Sequence, residues 1–112
     1  ASIMSVVADT ALTAYCASKA ALVGGAKALA LELANKGIRV NCISPGTLVD
    51  TAMTDNLKKD LSPEEFMKIK SKYPLNLGST KDVAALCIFL LSDESKWLTG
   101  QNIIIDGGYS CQ

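Results

Sequence analysis

Asn102-Ile103-Ile104-Ile105-Asp106-Gly107-Gly108 places three consecutive isoleucines before an acid and a glycine pair. Neighbouring side chains on a strand point to opposite faces, so a run apolar at successive positions has no face for water. It predicts a fully buried strand of a parallel sheet, closed by a glycine turn. Parallel neighbours must be joined by crossovers, normally helices. The upstream sequence reads as helix and strand in alternation.

Thr13 opens a long helical run ending near Lys36. Ala17, Ala20, Ala21, Ala26, Ala28, Ala30 and Ala34 are strong helix formers, and Leu22, Ala26, Leu29 and Leu33 recur at helical spacing. Gly37 is a natural stop. Ile38-Arg39-Val40-Asn41-Cys42-Ile43 alternates and is rich in β-branched residues, which predicts a strand broken by Ser44-Pro45-Gly46. Residues 47–56 read as a polar loop or short helical turn. Ser62-Pro63-Glu64-Glu65 is a helix start: serine caps, proline takes the first position and the acids suit the dipole. That helix should fade near Tyr73-Pro74. Another opens at Thr80-Lys81-Asp82-Val83, with Thr80 as cap and Val83, Leu86, Leu90 and Leu91 on the buried side. Residues 1–7 start apolar and suggest the tail of a strand. The implied class is α/β with a parallel sheet. Two strands and the tail of a third are too few for an independent sheet of this kind. The chain is therefore expected to pair with further material or to be a piece of a larger domain.

Totals exclude several functions. Of 112 residues 49% are apolar, enough for a core, while eleven basic and eleven acidic side chains cancel. That balance gives no footprint for nucleic acid or an anionic membrane. The apolar stretches are too short to span a bilayer, and no leader is read at residue 1. With no histidine, a Ser-His-Asp or Cys-His mechanism and a His-ligated metal are excluded within this chain. Cys16, Cys42, Cys87 and Cys111 form no Cys-x-x-Cys pair, so no metal site is expected and a reduced, cytoplasmic setting fits. Cys42 and Cys87 read as core residues.

Tyr15-Cys16-Ala17-Ser18-Lys19 carries the chemistry. Residues i and i+4 share one helix face, roughly 5–6 Å apart at Cβ. An ammonium held there favours the phenolate, and such a tyrosine can exchange a proton with an alcohol or carbonyl. The plain alternative is a half-buried tyrosine beside a solvated lysine, and the spacing alone favours it. The neighbours shift the balance. Ser2 lies thirteen residues before Tyr15, Arg39 to Gly46 forms a strand and Pro-Gly turn, and Leu98-Thr99-Gly100-Gln101 runs into Asp106-Gly107-Gly108.

In that order and spacing, the chain resembles the C-terminal part of a short-chain dehydrogenase/reductase over essentially all 112 residues. The resemblance implies a Rossmann-like, doubly wound parallel sheet of which residues 1–112 are the C-terminal portion. The dinucleotide-binding N-terminal half would come from the same polypeptide or another chain. It implies an NAD or NADP cofactor and a small-molecule substrate whose carbonyl and alcohol forms are interconverted, as in a bacterial-type carbonyl or 3-oxoacyl reductase. Tyr15 would exchange the proton, Lys19 would tune it and bond the nicotinamide ribose, and Ser2 would steady the reacting oxygen. Tyr15, Lys19, Pro45, Gly46, Leu48, Val49 and Thr51 would contact the cofactor.

Three departures qualify the match. The family's Gly-rich pyrophosphate loop, its residue selecting between NAD and NADP, and its upstream active-site asparagine are absent from these residues. Thr51 falls six residues after Pro45 rather than five, so Leu48 or Val49 takes the slot usually held by Ile or Val. Ala1 stands where a first serine often precedes the active-site one, and Ser5 is a less favoured substitute for Ser2.

Other residues have plainer readings. Ser18 reads as a helix residue bonded to backbone, and Asn41 as satisfying loop backbone groups. Gly24-Gly25 weakens a helix by about 1 kcal/mol per glycine relative to alanine, so close contact with another helix is expected there. The resemblance places that face between subunits of a homo-dimer or homo-tetramer. Residues 47–75 resemble the variable substrate lid, in which Met53, Leu57, Phe66 and Met67 line either an apolar pocket or a local core. The competing functional reading is a fragment or interaction module that binds no cofactor alone.

Overall fold

The computed structural model describes residues 1–111. Strands β1 (Cys42–Pro45) and β2 (Asn102–Ile105) form a two-stranded parallel sheet, with Cys42 opposite Asn102 and Pro45 opposite Ile105. Helices α1 (Thr13–Leu33), α2 (Ala52–Asp60), α3 (Pro63–Ser71) and α4 (Thr80–Leu91) complete the main elements. The last three lie between the strands and supply the crossover that parallel pairing requires. The class is α/β, as the isoleucine run implied.

The first residues depart from the strand reading. Ile3–Ser5 is a 3₁₀ turn, capped by the Ser2 hydroxyl on the Met4 N–H at 3.2 Å. Its backbone closes on itself, Ser5 N–H on Ser2 C=O and Val6 N–H on Ile3 C=O, both at 2.9 Å. Ile3 is buried and anchors the turn in the core.

β1 is shifted relative to the sequence reading. Residues 38–41 are not strand because the neighbouring segment turns away there. Val40 C=O accepts from Gly100 N–H at 2.6 Å, and Val40 N–H donates to the Thr99 hydroxyl at 3.1 Å. Ser44 and Pro45 extend the strand instead of breaking it. Pro45 needs no N–H donor at the strand end, and Gly46 N–H resumes the ladder on Ile105 C=O at 2.9 Å. β2 is less covered than expected, since Ile104 is 40% exposed.

The helices follow their local signals with three corrections. α3 starts with the reciprocal Ser62–Glu65 capping box, Glu65 accepting from Ser62 N–H at 2.8 Å. α1 gives way to a 3₁₀ turn at Ala34–Lys36 and stops on Gly37 at φ 71°. Residues 52–60 form a full helix capped by Thr51, longer than the loop or short helical turn read over 47–56. α4 is capped by Ser79, not Thr80: the Asp82 carboxylate takes Ser79 N–H at 2.7 Å. Leu91 lies outward, 85% exposed, while Leu90 is buried.

Buried apolar side chains are few: Ile3, Ala26, Ala30, Tyr73 and Leu90. Leu22 and Leu29 border an open groove between α1 and β1, and Leu31 and Trp97 are exposed. No atom lies within 4 Å of a Cβ placed on Gly24 or Gly25, so the expected close helix contact is absent among the described residues. Cys42 and Cys87 are half-buried rather than core, and all four thiols are free.

Candidate active site

The site lies where β1 ends. Ser44 is wholly buried, and the next residues, Pro45 and Gly46, open onto a cavity of about 620 Å³. Ser2, at the start of the 3₁₀ turn, and Tyr15, in the first turn of α1, line the same cavity. Leu12, Met4, Met53 and Leu57 give it apolar walls, while Asn56 and Asp60 add polar groups from α2. Phe66 and Met67 do not line it: Lys58 Nζ stands 5.6 Å from the Phe66 ring centre, and Met67 is 58% exposed.

The sequence candidates divide. Ser2, Tyr15, Pro45, Gly46, Leu48 and Thr51 share the cavity; Lys19 and Val49 are not among its lining residues. Lys19 instead stands over the tyrosine, its Nζ 5.1 Å from the Tyr15 ring centre. That contact is the i,i+4 relationship realised on one helix face. Val49 is 41% exposed, and its N–H is engaged by Gly78 C=O at 2.8 Å. The Thr51 hydroxyl is occupied as the α2 cap, accepting from Thr54 N–H at 3.3 Å. Thr54 in turn donates its hydroxyl proton to Leu48 C=O, which fixes the loop backbone beside the cavity. Ser18 donates to Tyr15 C=O at 2.7 Å, and Asn41 bonds Leu98 C=O and Gln101 N–H, so both have the structural roles read for them.

Ser5 points elsewhere. Its hydroxyl lies 3.1 Å from Ser44 Oγ and 3.4 Å from Asn102 Nδ2, away from the cavity lining. The substitute role weighed for it is not supported by this placement.

Tyr73 is the residue the sequence reading missed. It is 6% exposed, and its hydroxyl accepts from Thr47 N–H at 3.1 Å and pairs with Thr47 Oγ1 at 2.8 Å. Its ring underlies Gly46, where an added Cβ would meet Tyr73 Cε1 at 2.8 Å and Asp106 Cα at 3.1 Å. Only glycine permits this approach. In sequence, Tyr73-Pro74 read merely as a helix end, and no local pattern ties it to Thr47.

The loop floor is held by charge as well. Hydrogen bonds from the Thr80 hydroxyl and the Thr80 N–H hold the exposed Asp50 carboxyl below its ordinary range. At Asp106, partial burial pushes upward but is outweighed by bonds from Ser110 and the Gly108 N–H, so it too is lowered. No group of three or more His, Cys, Asp or Glu side chains able to hold a metal occurs among the described residues.

The chain matches the family described as enoyl-(acyl carrier protein) reductase over residues 1–110. It is 43% identical over 108 residues to 3-oxoacyl-(acyl-carrier-protein) reductase FabG of Buchnera aphidicola, covering 96% of this chain and 42% of that protein. The chain belongs to the short-chain dehydrogenase/reductase family. Within this family it is also 40% identical to the NADP-dependent (R)-specific alcohol dehydrogenase of Lentilactobacillus kefiri, covering 99% of this chain and 44% of that one. A solved short-chain dehydrogenase family protein from Francisella tularensis superposes with a TM-score of 0.89 at 39% identity, over 99% of this chain and 49% of that chain. 4-Hydroxyisoleucine dehydrogenase complexed with NADH superposes at 0.91 and 35% identity, over 100% of this chain and 45% of that chain. The α/β arrangement is thus part of the family's Rossmann-like fold. The chain spans less than half the length of these short-chain dehydrogenase relatives. No helix among the described residues is long and apolar enough to cross a membrane.

Proposed function

We propose that this chain carries the proton-transfer site of an NAD- or NADP-dependent oxidoreductase that interconverts a carbonyl and an alcohol on a small molecule. One observation carries the reading: Tyr15 and Ser2, thirteen residues apart in sequence, line one cavity beside Pro45 and Gly46. The fit to a nicotinamide rests on the bare Gly46 backbone beside that cavity, with Tyr15 and Ser2 on the same rim. Pro45, Gly46 and Leu48 would form the wall against the ring, and Lys19 would reach the ribose. Val49 and Thr51 would hold that loop in shape, Val49 through its backbone bond to Gly78. When bound, the cofactor supplies or accepts the hydride.

The chain's own residues handle the proton. In the reductive direction Tyr15 gives its phenolic proton to the carbonyl oxygen as the hydride reaches carbon, yielding the alcohol. Lys19 stabilises the phenolate left behind. The Ser2 hydroxyl accepts from Met4 N–H, which leaves its own proton to donate to the reacting oxygen. An aimed donor of this kind is worth on the order of a hundredfold in rate. Met4, Leu12, Met53 and Leu57 suit a substrate with a hydrocarbon portion. The active form is a homo-dimer or homo-tetramer in the cytoplasm, with the remaining half of the fold supplying the pyrophosphate site.

The decisive test is Tyr15→Phe in the complete protein. Turnover is lost while cofactor affinity stays within a few-fold; retained turnover rejects the proton-donor role. A second reading, a module that binds no cofactor by itself, draws on the lack of a Gly-rich phosphate loop in these 112 residues. Adding NADH or NADPH to the purified chain and following thermal shift separates the two for the isolated chain.

A further inference from the structure

Ser44, Asn102 and Ser5 close a ring of hydrogen bonds around the buried Ser44 hydroxyl. Ser44 Oγ donates to Asn102 Oδ1 at 2.6 Å, and Asn102 Nδ2 donates to Ser5 Oγ at 3.4 Å. The Ser44 proton is thereby used, so the 3.1 Å contact between the hydroxyls runs from Ser5 to Ser44. In this ring each residue gives one hydrogen bond and takes one. Ser44 has no solvent exposure, so in the folded chain water does not reach its hydroxyl.

The ring joins three pieces of chain. Asn102 opens β2. Ser44 is bonded directly to Pro45, the start of the cavity wall. Ser5 ends the 3₁₀ turn that Ser2 begins, and Ser5 N–H donates to Ser2 C=O at 2.9 Å. A rigid one-turn lever therefore runs from Ser44 through Ser5 to Ser2. Ile3 pins the middle of this turn, but an apolar contact is non-directional and does not set its rotation. Three directed hydrogen bonds do.

We propose that Ser44, with Asn102 and Ser5, is a positioning residue that fixes where the Ser2 hydroxyl stands relative to Tyr15 and the Pro45–Gly46 wall. The inference rests on the reading of Ser2 and Tyr15 given above. Ser44 touches no reacting atom; it acts through Ser2. Removing its hydroxyl takes a hydrogen-bond partner from Asn102 Oδ1 and another from the Ser5 hydroxyl. The turn then rotates to rescue them and carries Ser2 out of aim. A misplacement of about 1 Å can cost around a hundredfold in rate.

The test is a double-mutant cycle on kcat in the complete protein. Ser44→Ala lowers kcat about tenfold or more, with cofactor affinity within a few-fold. In a Ser2→Ala background the same change has little further effect, because the group it aims is already gone. An equal fold-loss in both backgrounds makes Ser44 merely structural and overturns the proposal, as does an unchanged kcat in the single variant. Should Ser44→Ala fail to fold, Ser5→Ala, at the partly exposed end of the ring, replaces it in the cycle: a loss that vanishes without Ser2 supports the proposal, and an equal loss overturns it. If Ser2→Ala keeps full turnover, the functional reading of Ser2 fails first and the positioning role falls with it. If Ser2→Ala is impaired yet the cycle is additive, the positioning role alone is lost.

Discussion

Thr80 holds the Asp50 carboxylate with two hydrogen bonds, from its backbone N–H at 2.8 Å and its hydroxyl at 2.6 Å. The pair ties the loop after β1 to the first turn of α4, thirty residues on. Beside it, Gly78 N–H donates to Thr47 C=O and Val49 N–H donates to Gly78 C=O. The loop bordering the candidate site is thus stitched to the residues that lead into α4. Asp50 and Asp82 are both lowered, Asp50 by the hydroxyl and N–H of Thr80 and Asp82 by those of Ser79.

A carboxyl lowered by folding contributes stability that is complete above its unfolded value and is lost as pH falls through the folded one. For these aspartates the loss sets in below about pH 4, the ordinary aspartate range. Urea midpoints measured from pH 6 to pH 3 should fall toward the acid end. Asp50→Asn should flatten that fall and lower the midpoint at pH 6, because the two Thr80 donors use different carboxylate oxygens and the amide turns one of them into an NH2 donor. An unchanged pH slope in Asp50→Asn rejects the assignment.

Gly46→Ala should destabilise the fold by about 1–3 kcal/mol, the ordinary cost of overpacking. The atoms in its way cannot move cheaply. Asp106 Cα is backbone, and the Tyr73 ring is buried and held at its hydroxyl by Thr47. Urea unfolding of the variant decides it; a midpoint equal to that of the parent means the wall has room.

Much of this was legible before the structure. The Ser62–Glu65 box, the long alanine-rich α1 and the parallel class rest on local or periodic signals, and these residues honour them. Ser2, Tyr15, Pro45 and Gly46, which the family resemblance drew together, line one cavity. What was not legible is non-local. Val40 looks like strand, yet the turn at Thr99–Gly100 takes its backbone groups. Thr80 looks like a cap, but its hydroxyl is claimed by Asp50 and the cap falls to Ser79. The Ile3–Ser5 turn hides behind apolar residues because a strand tail and a buried 3₁₀ turn read alike over seven positions. Tyr73 gives no sequence signal, since its partners Thr47 and Gly46 lie more than twenty residues away.

Arg39 should prove a fold-stabilising residue through the end of α4. Its guanidinium donates to Leu90 C=O at 2.6 Å, Leu98 C=O at 3.1 Å and Ser92 C=O at 3.3 Å. Those carbonyls have fallback donors: Ser95 Oγ approaches Leu90 and Ser92, and Asn41 Nδ2 reaches Leu98. Arg39→Met should therefore cost only about 1–2 kcal/mol, near the low end for charged hydrogen bonds. Ser95 has one proton for two carbonyls, so it cannot cover both. Arg39→Met with Ser95→Ala should then exceed the sum of the single changes by about 0.5 kcal/mol or more. Strict additivity in urea denaturation would show that water already serves these carbonyls.

Tyr73→Phe separates the two duties of that ring. The ring fills the space beneath Gly46 and packs against the tilted Tyr109 ring with centres 4.9 Å apart, and phenylalanine preserves both. The hydroxyl alone holds Thr47, through its N–H and its Oγ1. Loss of the hydroxyl should cost about 1–2 kcal/mol for a partly buried donor left unpaired. Because Thr47 and Tyr73 both line the cavity, the change should also raise KM for the substrate more than it lowers kcat. Tyr15, the proposed proton donor, stands on a different element, so its step is spared. Steady-state kinetics on the complete protein read the split. A fall in kcat at constant KM would mean that the Thr47 loop takes part in the reacting geometry rather than in shaping the substrate wall.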